Sequence, residues 1–555
     1  MNSSHLKLLL VLAVLFTLLN SVKPVCLDDA LYYARARQVA EHPLDPYGFE
    51  VFWNDRPEPA IGVLAPPLFP YYWAAAIRLF GERPFLWKLW LLPLSLLLVF
   101  SLYALFRRFA PGHELLLTWM TVLSPTFLPS FNLMLEIPVS ALSFSALVLF
   151  FRAHDRDSLV QSALAGLVAG IAMQTKYTAF ILPPLMLLYA IIFKRIRLGL
   201  LAASLAVAVF WTIEGLFAIS AHHSHLLYQS GIYGSVNLAK KYLYLAWPLV
   251  TTFGGVAPFL ALLGLVALRA SRRMIIAAAC LVALGYLLIA LVPARLATFT
   301  RDQRTYQESI TLAWVVFSIF GVAVFAALLE VIRRLLGWSK AVSFRLVQWR
   351  EFGVELFLVL WLCAEVAAYF ALSPIPAVRR VFGVLLVSTL LIGRLASKTC
   401  EQLECRALMR RVAAGSMALA MLFYAVDLHD AWVEKVAAEG AARRVQETDA
   451  KVTAWYVGRW GFQYYAERAG LKPVVADQSE FRTGDWLIVS DGPYYPKPVE
   501  EHINRYRIEP FTSLTLEDSL PLATMIGYYN SGIPIHHHEG PHRTVRIYRI
   551  AGKMR

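Results

Sequence analysis

The sequence predicts an all-α polytopic membrane domain of about thirteen transmembrane helices, followed by a small extracytoplasmic α/β domain. Three observations carry that expectation. Of 555 residues, 58% are hydrophobic and 16% charged, against about 25% charged in soluble proteins, which excludes a water-soluble enzyme of this length. Apolar runs long enough to cross roughly 30 Å of hydrocarbon recur along residues 1–426. From Asp427 to Arg555 the composition shifts to charged residues, Tyr, Pro and Gly. The expected division is therefore a membrane domain over 1–426 and an outer domain over 427–555.

The first run, Leu6 to Val22, is flanked by Lys7 and Lys23 and shows no small-x-small cleavage site before Lys23-Pro24; it reads as an uncleaved first helix. The first extracytoplasmic loop, residues 24–84, follows. Within it, Leu64-Ala65-Pro66-Pro67-Leu68-Phe69-Pro70-Tyr71-Tyr72-Trp73 cannot be a regular span, because proline removes backbone donors. It fits an interfacial helix entered through a rigid turn. Later spans are centred near Leu96, Thr121, Ala146, Leu167, Leu187, Leu205, Leu260, Ala283, Ser318, Leu360, Val387 and Ala418. Alternate loops carry the basic clusters, with about 20 Lys and Arg on one side and roughly 8 on the other. The basic set is cytoplasmic, which puts the N-terminus inside and the C-terminal domain outside, in the plasma (inner) membrane. The net charge of +14 thus reports topology, and no nucleic-acid partner is implied. In the tail, strands are expected at Val452–Val457, Pro473–Ala476, Trp486–Ser490 and Thr544–Ile550, and a helix at Gly461–Ala469.

The candidate chemistry lies where the topology meets the outer face. Asp28 and Asp29 follow the first span. Neighbours on a helix point about 100° apart, so one would face a cavity and the other would cap or orient a neighbour; a helix N-cap is the plain alternative for either. Glu136, in Leu135-Glu136-Ile137-Pro138, is a lone acid at a span entrance, which marks a functional site or a buried partner. Lys176 is expected at the same level, as that partner or as a holder of an anionic substrate.

Two acids after the first span with Tyr32 and Tyr33 close behind, a Pro-Pro-Leu-aromatic segment, an acid-x-Pro boundary and Gly166-Leu-Val-Ala-Gly170 leading to Thr175-Lys176-Tyr177 resemble the GT-C superfamily. The similarity is to its family 39-like members, akin to protein O-mannosyltransferases and lipid A aminoarabinose transferases. It is good over roughly the first 200 residues and then thins to span count and Ala377-Val378-Arg379-Arg380-Val381. The resemblance implies inverting transfer of a glycosyl group from a polyprenyl-phosphate-linked sugar to a hydroxyl of a lipid, glycan or protein outside the cytoplasm. It implies Asp28 or Asp29 as base, Glu136 as the acid of the later boundary, and Tyr32, Tyr33, Pro66, Pro67, Tyr71 and Tyr72 as the substrate loop. Where relatives often have His or Lys before Pro-Pro, this chain has Ala65, so a metal or phosphate contact expected there is absent. Lys176, Arg301, Arg304, Arg379 and Arg380 are the candidates to hold donor phosphate, since Arg gives bidentate bonds to phosphate oxygens; snorkelling to lipid headgroups is the alternative for the arginines. No cofactor is expected with certainty, a divalent metal ion being the open case.

Two further patterns stand apart. His536-His537-His538-Glu539-Gly540-Pro541-His542 has metal-binding composition but reads first as an exposed loop without function. Cys400 and Cys405 read as plain thiols, with no second pair to make a metal site. A transporter or lipid flippase is the alternative function, although it would set its ionisable groups near the midplane of broken helices. A transferase relative that has lost activity is the third.

Overall fold

The computed structural model describes every residue except 1–2, 53–55, 63–64, 222–223, 234–237, 293–310, 342–345, 450, 492–496, 518–519, 525–527, 530, 539 and 555. Among the described residues, nine helices are long and apolar enough to cross a membrane. The expected span near Leu260 is instead two helices, Tyr244–Val256 and Pro258–Ala267, bent by 73°. Proline at the start of the second helix has no N–H to continue the ladder of the first. Three more expected spans are short helices: Glu114–Val122 with 9 residues, Leu159–Thr175 with 17 and Leu182–Ile192 with 11. The apolar length of the chain thus holds as an integral multi-pass bundle, and among the described residues nine helices, or ten with the bent pair taken as one span, have full spanning length.

Close packing in the bundle follows from small residues. A Cβ on Gly166 would lie 2.4 Å from the Ala202 carbonyl oxygen, and one on Gly170 would lie 2.6 Å from Val209 Cβ. These glycines, one turn apart, let Leu159–Thr175 lie directly on the backbone of Ile196–Ala221, as small residues do between membrane helices. That contact fixes where the helix ends, and Lys176 is the residue that ends it.

The shift in composition at Asp427 falls inside one continuous 47-residue helix, Leu403–Asp449, which runs from the bundle into the C-terminal domain. There a five-stranded sheet has the order Lys472–Pro473, Ala454–Val457, Trp486–Ser490, Arg543–Lys553, Tyr506–Leu516. Its first three strands are parallel and the last two pair antiparallel to their neighbours. Tyr506–Leu516 was not expected from the sequence: it holds Pro510 and alternates poorly, which suits an edge position. The helix Trp460–Arg468 docks on the start of the first loop, where the Tyr465 hydroxyl accepts a 2.9 Å hydrogen bond from the Val25 N–H. Cys400 and Cys405 are bonded to each other, which corrects their reading as plain thiols.

Candidate functional site

The site is assembled at helix ends. The first helix, Ser3–Ser21, stops before Lys23-Pro24, and Leu27 then takes a left-handed φ of 49°, a conformation costly for a residue with a branched side chain. The turn delivers Asp28 to the start of the helix Asp29–Glu41, where its carboxylate makes no capping bond. It instead accepts a 2.6 Å hydrogen bond from Arg379 Nη1. Asp29 turns the other way. Its Oδ1 accepts from the Leu133 N–H at 2.8 Å, and its Oδ2 lies 3.6 Å from Lys88 Nζ. Of the two adjacent acids, Asp28 meets Arg379 and Asp29 ties the loop down.

The segment between Leu123 and Glu136 is irregular and buried, so its backbone carbonyls need partners. The C-terminal domain supplies them. Tyr528 Oη sits 2.7 and 2.8 Å from the carbonyl oxygens of Pro125 and Thr126. Lys23 Nζ donates to the Pro129 carbonyl at 2.9 Å and pairs with Asp427. Tyr528 and Tyr529 are therefore structural plugs. So anchored, the segment enters the helix Glu136–Arg156 with Glu136 as its first residue, where a carboxylate favours the positive end of the helix dipole.

Glu136 collects two cations. Lys176 Nζ lies 2.5 Å and Arg379 Nε 3.7 Å from its Oε1. Arg379 comes from the 3₁₀ turn Val378–Arg380; Pro374 and Pro376 end the preceding helix, and the turn leads into Phe382–Thr399. Arg379 thus bridges Asp28 and Glu136. Burial lowers Lys176 to about 8, with the Glu136 carboxylate pulling it back up and Arg380 and Arg379 pushing it down further. Tyr32, beneath these acids, is raised above its ordinary value by burial and then by Glu136 and Asp28, so it stays protonated as a donor.

A cavity of about 750 Å³, counting its open mouth, begins at Glu136, Lys176, Arg379 and Arg380 and continues between apolar walls that include Phe144 and Leu182. Glu365 also lines it, held by a 2.9 Å hydrogen bond from Trp361 Nε1. Glu365 is not among the sequence-derived candidates, although a lone acid in Cys363-Ala364-Glu365-Val366 carries the same signal as Glu136. Arg301 and Arg304 lie outside the described residues. In the first loop, the Arg35 guanidinium donates to the Ala65 carbonyl at 2.7 Å. Pro66 and Pro67 are buried beside it. Tyr71 donates to the Pro43 carbonyl and Tyr72 to the Trp90 carbonyl, while Tyr33 stacks on Trp87 and donates to Glu82. These three hydroxyls brace the loop. A divalent cation does not fit between Asp28 and Glu136, because Arg379 already occupies that position and Lys176 the other side of Glu136.

Residues 65–225 match the family model of dolichyl-phosphate-mannose-protein mannosyltransferases. The match takes in the Pro66-Pro67 segment, Glu136 and Lys176, and the likeness to GT-C enzymes read from the sequence is borne out there. Among solved structures, the Archaeoglobus fulgidus oligosaccharyltransferase tethered to an acceptor peptide is similar at a TM-score of 0.48 and 16% identity, over 85% of this chain and 64% of that one. The present chain thus spans less than two thirds of that enzyme. ArnT from Cupriavidus metallidurans bound to undecaprenyl phosphate is similar at 0.45 and 12%, over 99% and 98%. Arabinosyltransferase EmbB from Mycobacterium smegmatis is similar at 0.35 and 13%, over 94% and 47%. No curated protein matches.

Proposed function

We propose that the protein is a glycosyltransferase that moves a sugar from a polyprenyl phosphate to an acceptor hydroxyl at the extracytoplasmic face of the membrane. The observation that carries this reading is one juxtaposition: three cations, Lys176, Arg379 and Arg380, at the mouth of a cavity with apolar walls, and a carboxylate, Asp28, bonded to one of them, Arg379. The apolar walls suit an isoprenoid and the cations a phosphate, while the carboxylate suits a proton acceptor. The match of residues 65–225 to mannosyltransferases supports the same reaction class.

In the proposed step the acceptor oxygen attacks the anomeric carbon as the carbon–oxygen bond to phosphate breaks. The bonding pair leaves with the polyprenyl phosphate and the acceptor proton passes to Asp28. In-line displacement inverts the anomeric centre. Arg379, Arg380 and Lys176 stabilise the negative charge that grows on the leaving phosphate, and Arg379 orients Asp28 through their hydrogen bond. Glu136 positions Lys176 and Arg379, and Asp29 positions the turn that aims Asp28. General-base catalysis of this kind contributes about 10² to 10⁴ in rate.

The ionisable cluster sits at the ends of helices, at Glu136, Lys176 and Arg379, which supports chemistry at an interface over passage of a solute through the bundle. Mass spectrometry of membranes from cells lacking the protein tests the reading and names the sugar. One polyprenyl-phosphate sugar is expected to accumulate; unchanged pools of such lipids would contradict it.

A further inference from the structure

The histidine-rich segment of the C-terminal domain takes no part in the proposed transfer, and its surroundings are built. His542 stands just before the last strand, Arg543–Lys553, with its N–H donating to the Leu516 carbonyl at 3.0 Å. Its Nε2 lies 3.1 Å from Asp430 Oδ1 on the long helix Leu403–Asp449. His429, the neighbour of Asp430, meets the His542 ring edge-to-face at 5.2 Å. One donor atom from each of His429, Asp430 and His542 lies within 4.8 Å of the other two.

We infer that His429, Asp430 and His542 form a structural site for a zinc ion that fastens the C-terminal domain to the long helix. Two imidazoles and a carboxylate are a common zinc ligand set. A second observation supports it: Asp430 Oδ2 is held by the Thr524 N–H at 2.8 Å and its hydroxyl at 2.9 Å, which leaves Oδ1 aimed at His542. Outer partners of this kind orient metal-binding carboxylates. The nearby cation, Arg543, is taken up by Glu434 at 3.2 Å, so it does not oppose a positive ion. The location also gives the ion a purpose. Thr524 and the tyrosines Tyr528 and Tyr529 belong to the same connection, and those tyrosines plug the segment that leads to Glu136. Fastening this connection at Asp430 therefore stiffens the support beneath the candidate transferase site without entering it.

The test uses full-length protein in detergent, stripped with a chelator and titrated with zinc chloride. One zinc ion per chain is expected to bind the wild type and to raise its unfolding temperature. His542→Ala and His429→Gln should each weaken binding by at least about tenfold, and neither should show the rise in unfolding temperature that zinc gives the wild type. His537→Ala should bind as the wild type does, because His537 Nδ1 contacts the Ala290 carbonyl instead. Failure of the wild type to bind zinc would overturn the inference, as would equal binding by His429→Gln and the wild type. A loss in His537→Ala as large as in His542→Ala would also overturn it, marking the tract as an indiscriminate chelator.

Discussion

The two ends of the helical bundle both carry ion pairs: one has exposed pairs beside a buried Glu355 that meets Arg394 and Lys398, the other a buried cluster on a cavity. At one end Asp157 pairs with Arg195 and Arg197, and Arg333 with Glu330, as exposed surface contacts; the Arg197 and Asp157 side chains are 63% and 41% exposed. At the other, Arg379, Glu136 and Lys176 are 11%, 3% and 11% exposed and lie on a cavity. Exposed pairs contribute about 0–1 kcal/mol. Buried ones cost desolvation energy comparable to what they return, so a buried cluster open to a cavity is better explained by what it binds than by stability. The second end, with its cluster on a cavity, is the candidate for chemistry.

Four substitutions or conditions break that contrast, in order of size. Asp28→Asn should lower glycosyl transfer by about 10² to 10⁴, with donor binding kept because Arg379 is released; a radiolabelled-sugar transfer assay reads it. Glu136→Gln leaves Lys176 and Arg379 buried without a full countercharge and should cost about 3–5 kcal/mol in an unfolding titration. The third is pH. Lys176 is lowered to about 8, so its positive charge is present below that pH and lost as pH rises through it. Affinity for undecaprenyl phosphate should accordingly fall above pH 8, and Lys176→Arg should remove that limb. Asp157→Asn, at the opposite end, should change stability by less than about 1 kcal/mol and leave transfer alone.

Much of this contrast was legible in the sequence. The basic clusters marked one end, and acids at span boundaries, the pair Asp28-Asp29 and the lone Glu136, marked the other. What stayed hidden is long-range. Arg379 meets Asp28 across 351 positions of chain, a pairing that no local pattern records. Asp28 and Asp29 are equivalent as letters, and the φ of Leu27 together with the Leu133 N–H decides which one meets Arg379. Short helices such as Leu182–Ile192 were read as full spans because apolar runs do not report their breaks; here Tyr177–Ile181 forms a 3₁₀ turn ahead of the helix, and Pro183 and Pro184 lie in its first turn. The role of the C-terminal domain was also invisible, since Tyr465 reaches Val25, and Tyr528 reaches Pro125, only in the folded chain.

The most direct test of the central claim is the affinity of the purified protein for undecaprenyl phosphate, compared between the wild type, Asp28→Asn and Arg379→Gln. The buried cluster as a phosphate site predicts that the wild type and Asp28→Asn bind while Arg379→Gln loses at least about tenfold, as expected for a charged hydrogen bond worth about 1.5–3 kcal/mol. Equal binding by Arg379→Gln and the wild type would contradict it.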